Sequence, residues 1–97
     1  MKSINCKVEQ FVNTNGDPVR NQFRLFTDKG CYFQSYNSII AFKPLSGKIQ
    51  IDESYWDYSV TTGKYRNQFL NETKKETEAK IKSGEYILTD LNQFNTI

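Results

Sequence analysis

Three carboxylates, Asp52, Glu53 and Asp57, lie close together in the chain. Clustered acids can hold a divalent cation or exchange protons with a substrate. Here they flank the end of a strand, without a glycine-rich phosphate loop or a second acidic cluster, so solvated charge is the simpler reading. The chain contains no histidine among its 97 residues. That excludes a Ser-His-Asp triad, a Cys-His pair, a histidine zinc helix and a two-histidine iron site. The two cysteines, Cys6 and Cys31, have 24 residues between them and form no Cys-x-x-Cys. They are expected as reduced, buried thiols; whether strands bring them close enough to bridge stays open. No catalytic residue, metal site or cofactor is read from the sequence.

Recognition is better represented than catalysis. Fourteen residues are aromatic: seven Phe, six Tyr and one Trp. Tyr55, Trp56, Tyr58, Tyr65 and Phe69 concentrate in one stretch, and Trp and Tyr are typical interface anchors. Tyr65 and Phe69, four residues apart, suit a helix face that packs into a core. Tyr55, Trp56 and Tyr58 sit at a strand-to-helix connection and are the candidate partner-binding residues, with Lys64 and Arg66 as a charged rim. The alternative is nucleic acid. Residues 1–48 carry seven basic and three acidic side chains, and residues 49–97 carry six and eight, splitting the overall +2 into +4 and −2. Lys7, Arg20, Arg24, Lys43 and Lys48 would supply phosphate contacts, with Tyr32 and Tyr36 stacking on bases. A pI of 8.5 is modest for a dedicated nucleic-acid module.

The elements that position these residues follow from periodicity. Ile4, Cys6 and Val8 alternate with Asn5, Lys7 and Glu9, predicting a half-buried strand that runs to Val12. Asn13 to Pro18 reads as a turn, and Val19 to Phe26 as a second strand with Phe23 and Leu25 on one face. Thr27-Asp28-Lys29-Gly30 predicts a tight hairpin into a strand from Cys31 to Tyr36. Further strands are expected over Ile39 to Lys43 and around Ile49 and Ile51. Thr61 to Leu70 reads as a helix capped by Ser59 or Thr61, with Lys64, Arg66, Asn67 and Gln68 largely off its core face. Thr73 and Glu76 match a capping box, and Gly84 suits the end of that second helix. On it Glu76 with Lys80, and Glu78 with Lys82, stand in the favourable order for ion pairs. Glu85 to Leu91 returns to strand, and Asn92 to Ile97 reads as a loose end. The expected architecture is α+β: a single domain over residues 1–97, with an antiparallel sheet of about five or six strands and two short helices in the C-terminal half. A homodimer through an exposed edge strand is compatible with it. No apolar run approaches the roughly 18 residues that cross a bilayer, so no membrane partner is expected.

Two stretches carry a resemblance. Phe33-Gln34-Ser35-Tyr36-Asn37-Ser38-Ile39-Ile40-Ala41, and Trp56-Asp57-Tyr58-Ser59-Val60-Thr61-Thr62-Gly63-Lys64-Tyr65-Arg66-Asn67-Gln68-Phe69-Leu70, resemble a family of small, mostly uncharacterised proteins of phages and prophages of Gram-positive bacteria. Lys82-Ser83-Gly84-Glu85-Tyr86 with Leu91-Asn92 fits the same resemblance, which covers roughly residues 31–92. It implies no catalytic residues. It implies a setting: a small phage protein acting in the cytoplasm of a bacterial host. Together with the small size and the absence of catalytic signatures, that setting suggests a non-enzymatic protein that binds a host protein or ribonucleoprotein complex. Inhibition of a CRISPR effector, as by anti-CRISPR proteins, or of another defence complex would be its most concrete form.

Overall fold

The alternating first half folds into five strands, and the capping signals of the second half delimit two helices. The structure, a computed structural model, describes residues 6–93. In chain order the elements are β1 (Cys6–Val12), β2 (Pro18–Thr27), β3 (Gly30–Ser35), β4 (Ser38–Pro44), β5 (Gln50–Asp52), α1 (Val60–Leu70), α2 (Lys74–Ser83) and β6 (Ile87–Thr89). The six strands of the described residues form one sheet in the order β1-β2-β3-β4-β5-β6. Its pairs are antiparallel except β5–β6, which is parallel because the chain returns to the sheet through both helices. The fold is α+β, as expected.

Local chemistry sets the boundaries. Ser59 caps α1, its hydroxyl accepting from the Thr62 N–H. Thr73 and Glu76 close a reciprocal capping box on α2, and Gly84 ends that helix in the left-handed region. Glu76 therefore serves the cap, and Lys80 turns to Glu72, 2.6 Å away, instead of the expected Glu76. Gly30, at the β2–β3 hairpin, has φ +145°, and a Cβ there would lie 2.2 Å from the Lys43 carbonyl oxygen. Only glycine allows so close an approach of two strands.

One face of the sheet receives α1. Phe11, Phe33, Ile40 and Ile51 pack there with Tyr65, Phe69 and Leu70 of the helix and with Tyr86. The rings meet mostly edge to face or offset: Phe11 lies 5.3 Å from Phe33 and 5.5 Å from Tyr65, and Phe33 lies 5.7 Å from Phe69. Tyr65 and Phe69 are core members, as their helical spacing predicts. A hydrogen bond of 2.8 Å between the Ser35 and Thr62 hydroxyls ties β3 to the first turn of α1. The second face carries a smaller cluster of Ile39, Phe42 and Leu91, flanked by Leu25 and Tyr32, with no helix residue in it.

That asymmetry corrects several expectations. Val8 stands opposite Leu25, so Cys6 and Val8 share the second face and are exposed; Phe11 is the buried residue of β1. The two-residue period is right but its phase is reversed, because burial follows the helix and not the aliphatic count. Both cysteines are free, yet Cys6 is exposed and Cys31 only half-buried. β6 is shorter than the stretch expected from Glu85 to Leu91. Asn92 is not loose: its Oδ1 accepts from the Ile39 N–H at 2.7 Å, and its Nδ2 donates to the Ile39 carbonyl at 2.9 Å. The expectations for Ile4 and for residues 94–97 lie outside the described residues.

Candidate recognition surface

The connection from β5 to α1 carries Tyr55, Trp56 and Tyr58, and two buried charges shape it. Asp52, at the end of β5, is fully buried. Its Oδ2 accepts from the backbone N–H groups of Ser54 at 3.0 Å and Tyr55 at 2.8 Å. Its Oδ1 accepts from the Leu91 N–H at 2.7 Å and from Asn92 Nδ2 at 2.9 Å. The carboxylate thus closes the turn that starts the connection and fastens the segment after β6 beneath it. The solvated-charge reading fails for Asp52, whose oxygens are consumed by these four donors. Neither oxygen is left unpaired in the interior.

Arg66 supports the other end. Expected on a charged rim, it is 1 % exposed. The correction has a physical reason: α1 turns this residue under the connection, where planar donors meet several acceptors. Nη1 donates to the Trp56 carbonyl at 2.7 Å and to Asp57 Oδ1 at 3.1 Å, and Nη2 donates to Asn67 Oδ1 at 3.0 Å. The guanidinium carbon sits 5.0 Å from the Trp56 ring centroid. Trp56 is half-buried and packs against the core, so it walls the connection more than it projects from it. Asp57 also pairs with Lys74, at 2.7 Å. Burial pushes the Asp57 carboxyl upward, but the hydrogen bonds from Lys74 and Arg66 outweigh it and hold the group below its ordinary value.

Between these supports three phenol rings meet at the surface. Tyr58 packs edge to face on Tyr55 at 5.6 Å and on Tyr36 at 6.5 Å. Their exposures are 45 %, 39 % and 40 % respectively. Tyr36, assigned by sequence to base stacking, joins from the β3–β4 turn, where its N–H donates to the Asn21 carbonyl at 2.7 Å. Its φ of +57° is left-handed, uncommon for a bulky side chain. Nothing in the local sequence announces this meeting of residues from distant turns. Lys64 is exposed, its ammonium 5.4 Å from the Tyr65 ring.

The basic residues of the first half do not assemble around Tyr32 and Tyr36. Arg24 lies 3.9 Å over the Phe11 ring and 4.0 Å from Glu9. Lys43 lies 4.4 Å from the centroid of Phe69, and burial lowers its pKa. Cross-strand pairing puts Lys7 opposite Phe26, Phe26 opposite Cys31 and Cys31 opposite Lys43, all on the helix side of the sheet. Tyr32 is on the other face, stacked on Phe42 at 4.1 Å. Lys48 donates to the Gly84 carbonyl, and Arg20 is exposed on β2.

A second buried acid went unread in the sequence. Glu72, between the helices, accepts from Lys80 at 2.6 Å, Thr77 at 2.7 Å and Tyr86 at 2.8 Å. Burial raises its pKa, but these donors prevail and hold it below its usual range. Burial, and then the Glu72 carboxylate, push the Tyr86 phenol up to about 12. The eight-residue interval from Glu72 to Lys80 matches no standard helical pair. Among the described residues, no group of three or more Cys, Asp and Glu side chains is placed to hold a metal ion. No helix among them is long and apolar enough to cross a membrane.

A family model spans residues 6–86, from the first residue of β1 to the buried Tyr86. The chain belongs to DUF8033, a family of unknown function. The DUF8033 match takes in the tyrosine cluster and Arg66, Glu72 and Asp52. No curated protein and no solved structure matches the chain.

Proposed function

We propose that this DUF8033 protein is a non-enzymatic binding protein that engages another protein through Tyr36, Tyr55 and Tyr58. The observation that carries the reading is the partly exposed Tyr58 ring packed on both Tyr55 and Tyr36, themselves partly exposed, beside a connection fastened by buried charges. Rigid phenols offer large contact area and a polar tip at little conformational cost, which is why tyrosine recurs at the centre of interfaces. Asp52 and Arg66 hold the turn in place before a partner arrives, so little ordering entropy remains to be lost on binding. In the setting implied by the resemblance to phage proteins, the partner is a host macromolecule. A CRISPR effector or another defence complex, blocked sterically, is the most concrete form.

A protein partner is preferred to nucleic acid because Arg24 and Lys43 are engaged on core rings, while Tyr32 lies across the sheet from them. The test is affinity purification from a Gram-positive host lysate, followed by binding measurements on the recovered partner. Tyr55→Ala and Tyr58→Ala should each weaken binding by about 2 kcal/mol while leaving the fold intact. Failure to recover a stoichiometric partner, or a Tyr55/Tyr58 double variant that binds like the parent, refutes the reading. Retardation of nucleic acid that weakens steeply with salt would favour the alternative.

A further inference from the structure

Among the described residues, β1 ends the sheet and pairs on one side only, with β2. Its first five residues, Cys6 to Gln10, are all exposed, Val8 at 60 %. The outward hydrogen-bonding groups of this edge follow from the hairpin next to it. Thr27 and Gly30 flank the two-residue β2–β3 loop and form a pair hydrogen-bonded to each other. Alternation along β2 then directs the backbone groups of Phe26 and Arg24 toward β1, where they meet Lys7 and Glu9. The Tyr36 N–H to Asn21 carbonyl bond agrees, since odd-numbered β2 residues turn toward β3. Cys6, Val8 and Gln10 therefore present their N–H and C=O groups to the free edge.

We propose that β1 is a self-pairing edge: two copies join β1 to β1 antiparallel, with the two-fold axis at Val8 and Lys7 of each opposite Glu9 of the other. Charge selects this register. Cys6, Val8 and Gln10 must pair among themselves to use their outward groups. With the axis at Val8, Cys6 faces Gln10 of the second copy, and Lys7 faces Glu9 in the closer, non-hydrogen-bonded position. Sliding the partner by one pairing step moves the axis to Lys7 or to Glu9. The first sets two lysines opposite each other, the second two glutamates, and like charges directly opposed are unfavourable. An edge lysine ordinarily discourages pairing; here Glu9, two residues on, supplies its complement. The register irregularity between Gln10 and Val12 limits the shared ladder to these five residues. About six N–H···O bonds would join the copies. An axis normal to the sheet keeps α1 of both copies on one side and leaves the tyrosine cluster uninvolved, so this inference stands independently of the tyrosine reading.

The ladder is short, so association is measured by sedimentation velocity from micromolar to near-millimolar chain concentration. The parent should show a reversible, concentration-dependent dimer. Lys7→Glu or Glu9→Lys should weaken it about tenfold, and the double exchange should restore it. Cysteine pairs read the register, because opposed residues in a hydrogen-bonded pair have Cα atoms about 5.5 Å apart, within disulfide reach. Under mild oxidation, Val8→Cys in a Cys6→Ser background should form a covalent dimer. Gln10→Cys should do so through the native Cys6 and lose the cross-link when Cys6→Ser is added. Cys31 is retained in every variant as a common background. A monomer throughout the concentration range overturns the proposal, as does cross-linking by Gln10→Cys that survives Cys6→Ser, or a double charge exchange that fails to restore the dimer.

Discussion

Arg66 separates two accounts of the second half of this molecule. A rim residue could be truncated without loss of stability; a buried strut could not. Arg66→Met keeps the aliphatic stem and removes the guanidinium, leaving the Trp56 carbonyl, Asp57 and Asn67 without their shared donor. Removing one member of a buried ion pair typically costs about 3–5 kcal/mol, mostly through the charge left behind. Asp57 is partly exposed and keeps Lys74 at 2.7 Å, so its share of that penalty is discounted. The expected loss is about 3 kcal/mol. For a chain of this length that lowers the melting temperature by about 12–20 °C. Urea denaturation followed by fluorescence suits the measurement, because Trp56 is the only tryptophan and lies against the guanidinium. Its emission in the folded variant should shift to the red as the connection loosens. Arg66→Lys, which can satisfy one acceptor but not the planar set, should fall between. An Arg66→Met protein within about 1 kcal/mol of the parent would refute the strut.

Three further perturbations address Tyr86, Glu72 and Asp52. Tyr86 is neutral when folded and its pKa is raised to about 12, so its contribution is complete below the unfolded value near 10 and disappears as pH rises through the folded one. Urea midpoints should therefore fall for the parent above about pH 10 and fall less for Tyr86→Phe; parallel profiles would remove Tyr86 as the cause. Glu72 works in the opposite direction, its folded pKa being lowered: its contribution is present above the unfolded value and is lost as pH drops through the folded one, a loss Glu72→Gln should not show. Asp52→Asn replaces one of two accepting oxygens by an NH₂ that faces donors, and should cost about 2–4 kcal/mol in denaturant titration. A cost below about 1 kcal/mol would mean the turn does not depend on the second oxygen.

Signals that act within a few residues were legible in the sequence. Ser59, Thr73 with Glu76, and Gly84 delimit the helices because capping is a local hydrogen-bonding problem. The Thr27–Gly30 hairpin was legible for the same reason. Long-range packing was not. Alternation in β1 carries no information on which face the helix covers, and Phe11 decides that by meeting Phe33 and Tyr65. Charged residues are usually solvated, so Asp52 and Arg66 read as surface, and Glu72 drew no reading at all; their partners, up to 40 residues away, are not local in the chain. The tyrosine cluster was half visible: Tyr55 and Tyr58 are neighbours in the chain, but Tyr36 reaches them only because the β3–β4 turn and the β5–α1 connection end up side by side.

Tyr36 is where local cost and surface chemistry disagree. A non-glycine residue held at φ +57° carries a penalty of order 1 kcal/mol, and asparagine or glycine would occupy the turn more easily. The ring recovers part of that through its edge-to-face contact with Tyr58, worth about 0.5–1.5 kcal/mol when well packed and less at 6.5 Å with 40 % of the residue exposed. Stability alone thus gives little reason for a tyrosine here, whereas a contact with another molecule does. Tyr36→Gly should leave the urea midpoint unchanged or slightly raised, since relief of the dihedral offsets the lost ring contact. The same variant should lose affinity for the partner by an amount comparable to Tyr58→Ala. If it instead destabilises the fold by about 2 kcal/mol or more, the ring is a structural element of the turn, and the left-handed tyrosine gives no support to a binding surface.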